Sequence, residues 1–298
     1  MKVYQKYNAS ISTGIIASGT GKALMDPTGT LAITPALENV HLWNVKKGIL
    51  LKEWKESGNK SAVTCICHHS DSIYSVGYAD GTIRLWDLDQ SDSLLTLKGH
   101  KQAVTALAFD HKNSRLVSGS KDTDIILWDV LAEAGLYRLK GHKDEVTSLV
   151  ILDTEGCNHI ISGSKDNLIK VWDLKTQHCV ETLITHRGQV WALELLLEQK
   201  LLFSGSDDGQ IRVWEIDTEA LASKLDLDHE NSVDADGNLK RTISLLGALE
   251  RASKEKILHI KLMKGNQFMG VQVGQSLFSH IRVRMRSWKF TKFDHLKN

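Results

Sequence analysis

A tryptophan recurs along this chain at intervals of 42 to 44 residues, and this spacing constrains the fold more than any other feature of the sequence. Each of these residues follows Leu or Val and precedes Asn, Asp or Glu. The five positions are Trp43, Trp86, Trp128, Trp172 and Trp214. A fixed period of this length is typical of chains built from repeated units, in which each unit buries its apolar face against the next. The sequence therefore predicts a repeat protein rather than a set of independent domains.

Three other residue types keep a constant place in the repeat. An aspartate stands six residues before four of the tryptophans, a serine stands four residues before three of those aspartates, and a histidine opens the same three units. The three complete sets are His100, Ser118, Asp122 and Trp128; His142, Ser162, Asp166 and Trp172; and His186, Ser204, Asp208 and Trp214. Runs of β-branched and aromatic residues between these positions predict strands.

A period near 42 residues, with Gly-His at one end and Trp-Asp at the other, resembles the WD40 family. This resemblance implies an all-β chain in which each repeat forms one four-stranded blade of a β-propeller. We expect five to six recognisable blades of a truncated seven-bladed ring. Seven units of about 42 residues would fill a chain of 298 residues and leave no room for a long insertion.

The repeats predict four segments along the chain. They are an N-terminal strand that helps to close the ring at 1–20, blades one to five at 21–216, a polar insertion loop at 217–255, and a degenerate sixth blade with a basic tail at 256–298. A short helix is expected inside the insertion, from about Ile243 to Ala252.

Two of the predicted blades depart from the pattern. Blade one is degenerate, with Leu37 where the turn aspartate would stand. Blade two keeps the aspartate, Asp80, but has Asn59 in place of the histidine and Val76 in place of the serine. The first two blades are therefore expected to lack the complete set of polar residues.

Each complete set has the composition of a hydrolase triad, but the set occurs three times. A catalytic serine needs one exposed site with an oxyanion hole, and copies of such a site in successive blades are not expected. We interpret each set as a buried chain of hydrogen bonds that runs from Trp to Ser, from Ser to His and from His to Asp, and that stabilises the blade. No catalytic and no cofactor-binding residue is predicted, and we expect no enzyme activity.

The overall charge gives no sign of a strongly charged partner. Lys and Arg number 37 and Asp and Glu number 36, a net charge of +1, so no field over the whole chain attracts nucleic acid or an anionic membrane. No stretch approaches 18 apolar residues, and no membrane is expected as a partner. The four cysteines lack the spacing of a disulfide framework, which fits a reducing compartment.

A cluster of Cys65, Cys67, His68 and His69 suggests a zinc site at first sight. The two cysteines alternate along a predicted strand, where they are expected to pack on the same face. Adjacent histidines also give poor tetrahedral geometry. We therefore favour packing over metal binding, and no metal is predicted.

The C-terminal segment alternates apolar and basic residues. Our main interpretation is a strand with one solvated face. The alternative is a contact with nucleic acid phosphates through Arg284, Arg286 and Lys289. Loop residues beside the turn aspartates are further candidates for partner contact, although ordinary solvated loops explain them equally well: Tyr78, Asp124, Asn167 and Gln210.

The repeats resemble one part of the WD40 family more closely. The segments at 118–130, 135–149 and 172–196, with DGTIRLWDL at 80–88, are similar to the first propeller of a family of nuclear tandem-propeller proteins from the U3 small-subunit processome. This resemblance implies a nucleolar scaffold for protein assembly in the processing of pre-18S ribosomal RNA. Other WD40 processome proteins are the expected partners. The U3 small nucleolar ribonucleoprotein and pre-ribosomal RNA are expected as indirect partners, and no small-molecule substrate is expected.

Two other classes of function stay open. A WD40 substrate adaptor of a ubiquitin ligase, or another signalling scaffold, would carry a helical recruiting segment such as an F-box, and the sequence shows none. An enzyme built on a propeller would need a cluster of unpaired acidic or metal-binding groups, and the turns of the repeats account for the acidic residues found here.

Overall fold

The computed structural model describes most of the repeat region and parts of the C-terminal third. The residues described are 23–26, 28–56, 58–69, 72–90, 92–110, 112, 114–154, 157–196, 200–218, 221, 242–250, 256–262, 268–273, 278–282 and 291–292. The chain divides into two compact units between Leu107 and Ala108.

The described residues form six four-stranded sheets, and in each sheet the strands lie side by side in chain order. The first two sheets consist of β1 (Leu24–Met25), β2 (Leu31–Ala36), β3 (Asn39–Asn44) and β4 (Ile49–Trp54), then β5 (Val63–His68), β6 (Ile73–Tyr78), β7 (Thr82–Asp87) and β8 (Ser93–Lys98). The next two consist of β9 (Val104–Phe109), β10 (Arg115–Ser120), β11 (Ile125–Asp129) and β12 (Ala134–Leu139), then β13 (Val146–Thr154), β14 (Cys157–Ser164), β15 (Ile169–Asp173) and β16 (Cys179–Leu183).

The fifth sheet consists of β17 (Val190–Leu196), β18 (Leu201–Ser206), β19 (Gln210–Ile216) and β20 (Ile243–Glu250), and the sixth of β21 (Ile257–Leu262), β22 (Phe268–Val273), β23 (Phe278–Arg282) and β24 (Thr291–Lys292). Neighbouring strands pair antiparallel, as β18 does with β19 and β22 with β23. Successive four-stranded antiparallel sheets of this kind are the blades of a WD40 β-propeller, so the predicted fold class is confirmed.

The middle strands of the first five sheets hold the core. In β11 the four residues Ile125–Trp128 are all buried, because both faces of a middle strand are covered. In the first unit one cluster packs Trp54, Tyr74 and Trp86 together. In the second unit the largest cluster joins residues of the fourth and fifth sheets, such as Val171 and Leu202.

In both β10 and β14 a glycine stands between two serines. This glycine allows consecutive sheets to approach closely. A Cβ atom on Gly119 would lie 2.6 Å from Cγ1 of Val146, which belongs to the first strand of the next sheet. A Cβ atom on Gly163 would likewise lie 2.8 Å from Cγ1 of Val190. Real Cβ atoms do not approach carbon this closely, so the packing between these sheets requires glycine at both positions.

A β-bulge lies in the outermost strand beside the recurring tryptophan in each of the first five sheets. In the third sheet Leu127 pairs with Tyr137 while Trp128 pairs with Gly135, so Leu136 has no counterpart on β11. The bulged residues are aliphatic in all five sheets: Leu51, Leu94, Leu136, Val180 and Leu246. A bulge interrupts the regular edge of a strand and so hinders pairing with a further strand.

The expected helix near Ile243 to Ala252 is wrong, because residues Ile243–Glu250 form strand β20 and pair with β19 from Ile216 back to Gln210. This segment contains residues that favour a helix. It forms a strand because main-chain hydrogen bonds with the open edge of β19 outweigh that helix propensity. The fifth blade therefore ends beyond residue 216, and the insertion lies between two strands of one sheet. The predicted N-terminal strand at 1–20 lies outside the described residues.

Within the described part of the chain, no helix has the length and apolar character needed to cross a membrane.

Candidate functional site

The fourth sheet brings one complete set of polar residues together. His142 precedes β13, Ser162 lies in β14, Asp166 lies in the turn after β14, and Trp172 lies in β15. Nδ1 of His142 lies 2.8 Å from Oδ2 of Asp166, and Nε2 of His142 lies 2.7 Å from Oγ of Ser162. The indole N–H of Trp172 donates to the same Oγ at 2.8 Å. The hydrogen bonds therefore run from tryptophan through serine and histidine to aspartate.

The carboxylate of Asp166 stays ionised in this setting. Burial alone would raise its pKa, but hydrogen bonds from the His142 ring and from the backbone N–H of Lys143 outweigh burial and lower the pKa from 3.8 to about 2. An ionised Asp166 accepts a hydrogen bond from Nδ1–H of His142, which leaves Nε2 to accept a hydrogen bond from the Ser162 hydroxyl. The backbone N–H of Leu168 donates to the second carboxylate oxygen at 3.0 Å.

The fifth sheet repeats the arrangement. Nδ1 of His186 lies 3.1 Å from Oδ2 of Asp208, and Nε2 lies 2.8 Å from Oγ of Ser204, to which the Trp214 indole N–H donates at 2.9 Å. Burial lowers the pKa of His186, although its hydrogen bond with Asp208 acts in the opposite direction. Hydrogen bonds from the backbone N–H of Gln210 and from His186 lower the pKa of Asp208 against the effect of burial, which alone would raise it.

The third sheet shows part of the same geometry. The Trp128 indole N–H donates to Oγ of Ser118 at 2.7 Å, and both residues are buried. Asp122 accepts the backbone N–H of Asp124 at 3.1 Å and so shapes the turn between β10 and β11. His100 is buried as well.

The buried serines have no room for a substrate. Ser118, Ser162 and Ser204 are each 0% exposed. In the fourth and fifth sheets the hydroxyl also sits between an indole donor and an imidazole acceptor, so its hydrogen-bonding capacity is used inside the sheet. Among the described residues, no group of three or more His, Cys, Asp and Glu side chains is placed to hold a metal ion. Cys65 is buried in β5, where its thiol lies 3.5 Å from the carbonyl oxygen of Val104.

The first sheet contains a hydroxyl partner that the spacing pattern missed. The Trp43 indole N–H donates to Oγ1 of Thr34 at 3.1 Å. Thr34 stands nine residues before the tryptophan, whereas the serines stand ten residues before theirs. The only sequence signal was therefore a hydroxyl displaced by one residue and carried by a different residue type.

The second sheet replaces the missing histidine and serine with a charged pair. Nε of Arg84 in β7 lies 2.8 Å from a carboxylate oxygen of Glu56, which precedes β5. The Arg84 guanidinium lies over the Tyr78 ring, 4.6 Å from its centroid. Like the histidine and aspartate of the later sheets, Glu56 and Arg84 connect the segment before the first strand to the body of the sheet.

The packing around Arg84 shows that one of the residues expected to contact a partner is not accessible. Tyr78 is 1% exposed, so the interpretation of this residue as an accessible loop position is wrong. Burial raises the pKa of its hydroxyl, although the neighbouring Arg84 acts in the opposite direction. Packing under the Arg84 guanidinium explains a tyrosine at a position that holds serine in the later sheets.

The other residues expected to contact a partner lie in different surroundings. Asp124, Asn167 and Gln210 are half-buried, and Asp124 pairs with Arg138 at 2.8 Å. The predicted nucleic-acid residues Arg284, Arg286 and Lys289 lie outside the described residues.

Several curated proteins are similar to parts of this chain. U3 small nucleolar RNA-associated protein 12 from Saccharomyces cerevisiae is 34% identical over 138 residues, which are 40% of this chain and 14% of the yeast protein. WD repeat-containing protein 3 from Mus musculus is 44% identical over 94 residues, which are 29% of this chain and 10% of the mouse protein. The match to the WD repeat-containing protein 3 homolog of Dictyostelium discoideum, 38% identical over 105 residues, covers 35% of this chain and 11% of that protein. The chain thus matches 14% or less of the length of each of these relatives.

Comparison of folds gives the same architecture. The solved structure of the computationally designed Ika8 protein matches 89% of this chain and 70% of its own, with a TM-score of 0.64 and 24% sequence identity, and this likeness concerns the fold alone. The family described as WDR3 first beta-propeller domain matches residues 30–216, which is more than half of the chain. That range includes every strand from β2 to β19 and all three complete sets of His, Ser, Asp and Trp. The chain therefore belongs to the WDR3 first beta-propeller domain family of WD40 repeat proteins.

Proposed function

We propose that this chain is a non-catalytic scaffold domain for protein assembly in the U3 small-subunit processome, and so contributes to the processing of pre-18S ribosomal RNA. The observation that carries the proposal is membership of a family with relatives named WD repeat-containing protein 3 and U3 small nucleolar RNA-associated protein 12. The yeast name connects that relative with a small nucleolar RNA. A role in the nucleolus follows for this chain if it acts as its relatives' names suggest.

The buried polar sets support a scaffold rather than an enzyme. Ser162 and Ser204 are fully buried, and each hydroxyl lies between an indole N–H and an imidazole nitrogen. A nucleophile must reach its substrate, and these hydroxyls do not reach the surface. Their hydrogen bonds instead connect the segment before the first strand, the second strand, the turn after it and the third strand of one sheet. We infer that the sets fix the shape of the blade, and that the surfaces of the domain are left for partner proteins.

Other WD40 processome proteins are the proposed direct partners, and the U3 ribonucleoprotein with its pre-ribosomal RNA is reached through them. The net charge of +1 supports an indirect contact with RNA, since direct phosphate binding requires a concentration of basic side chains.

Affinity purification from nuclear extract tests this proposal. The chain is expressed with an affinity tag beside a control WD40 domain from another family that carries the same tag. We expect U3 RNA, measured by reverse transcription and quantitative PCR, to be enriched with this chain over the control, while another abundant nuclear RNA such as U2 is not. Equal recovery of U3 RNA with both domains would contradict the processome assignment.

Two further measurements separate the alternatives. Ribonuclease treatment before elution should leave the processome proteins bound, because the proposed direct contacts are with protein. Ultraviolet crosslinking should give little RNA attached to the chain itself. Recovery of cullin-type ligase subunits without U3 RNA would favour the alternative function, a substrate adaptor of a ubiquitin ligase.

A further inference from the structure

The hairpin formed by β3 and β4 exposes three consecutive aliphatic side chains. Ile49 is 48% exposed, Leu50 is 44% exposed and Leu51 is 51% exposed. Residues in a strand normally alternate between a covered and a solvated face, so a run of three exposed aliphatic residues is unusual for the edge of a sheet. Exposed apolar groups with a polar border often mark a protein–protein contact.

The repeats provide an internal comparison that separates what the fold requires from what it does not. Leu51 occupies the bulge position, which is aliphatic in all five sheets, so the fold accounts for this residue. The two positions before the bulge differ between the sheets. Ile49 and Leu50 of the first sheet correspond to Asp92 and Ser93 in the second, Ala134 and Gly135 in the third, His178 and Cys179 in the fourth, and Ser244 and Leu245 in the fifth. Because the hairpins of the second, third and fourth sheets fold with polar or small residues at both positions, packing does not require Ile49 and Leu50.

The turn of this hairpin carries two adjacent lysines, whereas the corresponding turns carry one or none. Lys46 and Lys47 are exposed. The equivalent residues are Asp89 and Gln90 in the second sheet, Leu131 and Ala132 in the third, and Lys175 and Thr176 in the fourth. Within the described residues neither lysine has an ion pair closer than 4 Å. The exposed aliphatic pair is therefore bordered by two positive charges.

The turn holds its lysines in a defined place. Oδ1 of Asn44 accepts the backbone N–H of Lys47 at 2.9 Å, and the carbonyl oxygen of Asn44 accepts the N–H of Gly48 at 2.8 Å. Gly48 has a φ of 65°, a left-handed conformation that glycine adopts without strain. A turn fixed in this way presents its surface to a partner with little loss of conformational entropy.

We propose that residues 45–51 form a docking surface for an acidic, amphipathic segment of a partner protein. Apolar side chains of that segment would cover Ile49 and Leu50, and its carboxylates would lie beside Lys46 and Lys47. Contact through side chains is expected rather than addition of a strand, because the bulge at Leu51 interrupts the edge of β4. RNA is a poorer fit, because bases stack on aromatic and guanidinium groups and this surface has neither. The inference deepens the proposed scaffold function and rests on it.

Peptide selection tests the proposal without any processome component, so its failure can be distinguished from the failure of the proposed function. A random twelve-residue phage-display library is selected on the full chain, and binders to the variant with Ile49→Asp and Leu50→Ser are removed first. This variant carries the pair of residues that the second sheet has at the same positions, so the hairpin is expected to fold. A thermal unfolding curve like that of the unchanged chain verifies this expectation.

Enriched peptides should contain Asp or Glu together with Leu, Ile or Phe. Their affinity, measured by fluorescence polarisation, should fall at least tenfold in the variant with Lys46→Glu and Lys47→Glu. It should stay within twofold in the control variant Lys175→Glu, which changes the residue equivalent to Lys46 in the fourth sheet. Enrichment of basic peptides, no enrichment at all, or equal effects of the two charge reversals would overturn the proposal. Binding of a uridine-rich RNA or of phosphatidylserine vesicles that is lost in the Ile49→Asp, Leu50→Ser variant would also overturn it.

Discussion

Nδ1 of His142 lies 2.8 Å from a carboxylate oxygen of Asp166, although the two residues are 24 positions apart in the chain. Their side chains are 0% and 6% exposed. This contact connects the segment that leads into the first strand of the fourth sheet with the turn between its second and third strands. Removing one partner leaves the other buried without its hydrogen bond, which costs more than the bond contributes.

Asp166→Ala should lower the free energy of unfolding by about 1 to 3 kcal/mol, because it removes the acceptor for the His142 ring and for two backbone N–H groups. Urea unfolding followed by circular dichroism measures the effect. Glu215→Ala removes an exposed carboxylate from the fifth sheet and is the matched control. Equal stability of the Asp166→Ala variant and the unchanged chain would show that the buried set does not stabilise the blade.

Acid should weaken the fold through the same carboxylate. The pKa of Asp166 is about 2 in the folded chain, against an ordinary value of 3.8. A carboxyl group with a lowered pKa contributes stability that is complete above about pH 4 and is lost as the pH falls towards 2. The difference corresponds to about 2 kcal/mol. Urea midpoints at pH 5, 4, 3 and 2 should fall less steeply for Asp166→Asn than for the unchanged chain. Parallel curves would contradict the assignment.

His159→Leu should protect the chain against mild acid. His159 is fully buried, and burial lowers the pKa of its ring, although the neighbouring Asp173 acts in the opposite direction. The unfolded chain therefore takes up this proton below about pH 6.5 while the folded chain resists it, so stability is lost as the pH falls from 7 to 5. The equivalent residue of the fifth sheet is Leu201, which shows that leucine fits this position. Thermal unfolding at pH 7 and pH 5 should give a smaller difference for the variant, and an unchanged difference would contradict this prediction.

Gly119→Ala should destabilise the second unit by about 1 to 3 kcal/mol, because the added methyl group would overlap the Val146 side chain, whose Cγ1 atom would lie 2.6 Å away. Gly247→Ala is the control, since a Cβ atom there meets nothing within 4 Å. Chemical unfolding of the two variants side by side separates the effect of close sheet packing from the general effect of replacing glycine. A comparable change in both variants would refute the packing explanation.

Glu56→Gln should destabilise the first unit by about 1 to 2 kcal/mol, because the Arg84 side chain, only 10% exposed, loses its charged partner. Glu38→Gln removes an exposed carboxylate from the same unit and is the control. Unfolding curves at low and high salt give the measurement. The difference between the two variants should decrease in high salt if the interaction is electrostatic. An effect of Glu56→Gln no larger than that of Glu38→Gln would show that the charged pair is not needed.

The sequence allowed the sheets to be predicted where the pattern is local. The tryptophan, the aspartate and the serine of each set belong to one strand–turn–strand segment. Their constant spacing in the sequence therefore predicts their relative positions in the sheet. Strand β20 could not be predicted in the same way, because its partner β19 lies on the other side of a long connection. Five of its first six residues are partly or fully exposed, so it also lacks a clear period-two pattern.

Substitutions inside a repeat were harder to predict than the repeat itself. Asn59 and Val76 indicated that the histidine and serine of the second sheet were missing, but not that Glu56 and Arg84 would form a different connection. Thr34 does not match the spacing of the serines, because it is displaced by one residue along its strand. A spacing rule finds equivalent residues, whereas side chains that reach the same place from other positions become evident only in three dimensions.

The fifth sheet takes its last strand from beyond a long connection, since β19 ends at Ile216 and β20 begins at Ile243. Each doubling of such a connection costs only about 0.6 kcal/mol of closure entropy. Foreign sequence should therefore be accepted between these two strands more readily than in the tight turns of the first four sheets. A fluorescent protein inserted there would report where the domain resides in the cell and would leave both termini free for attachment to other domains.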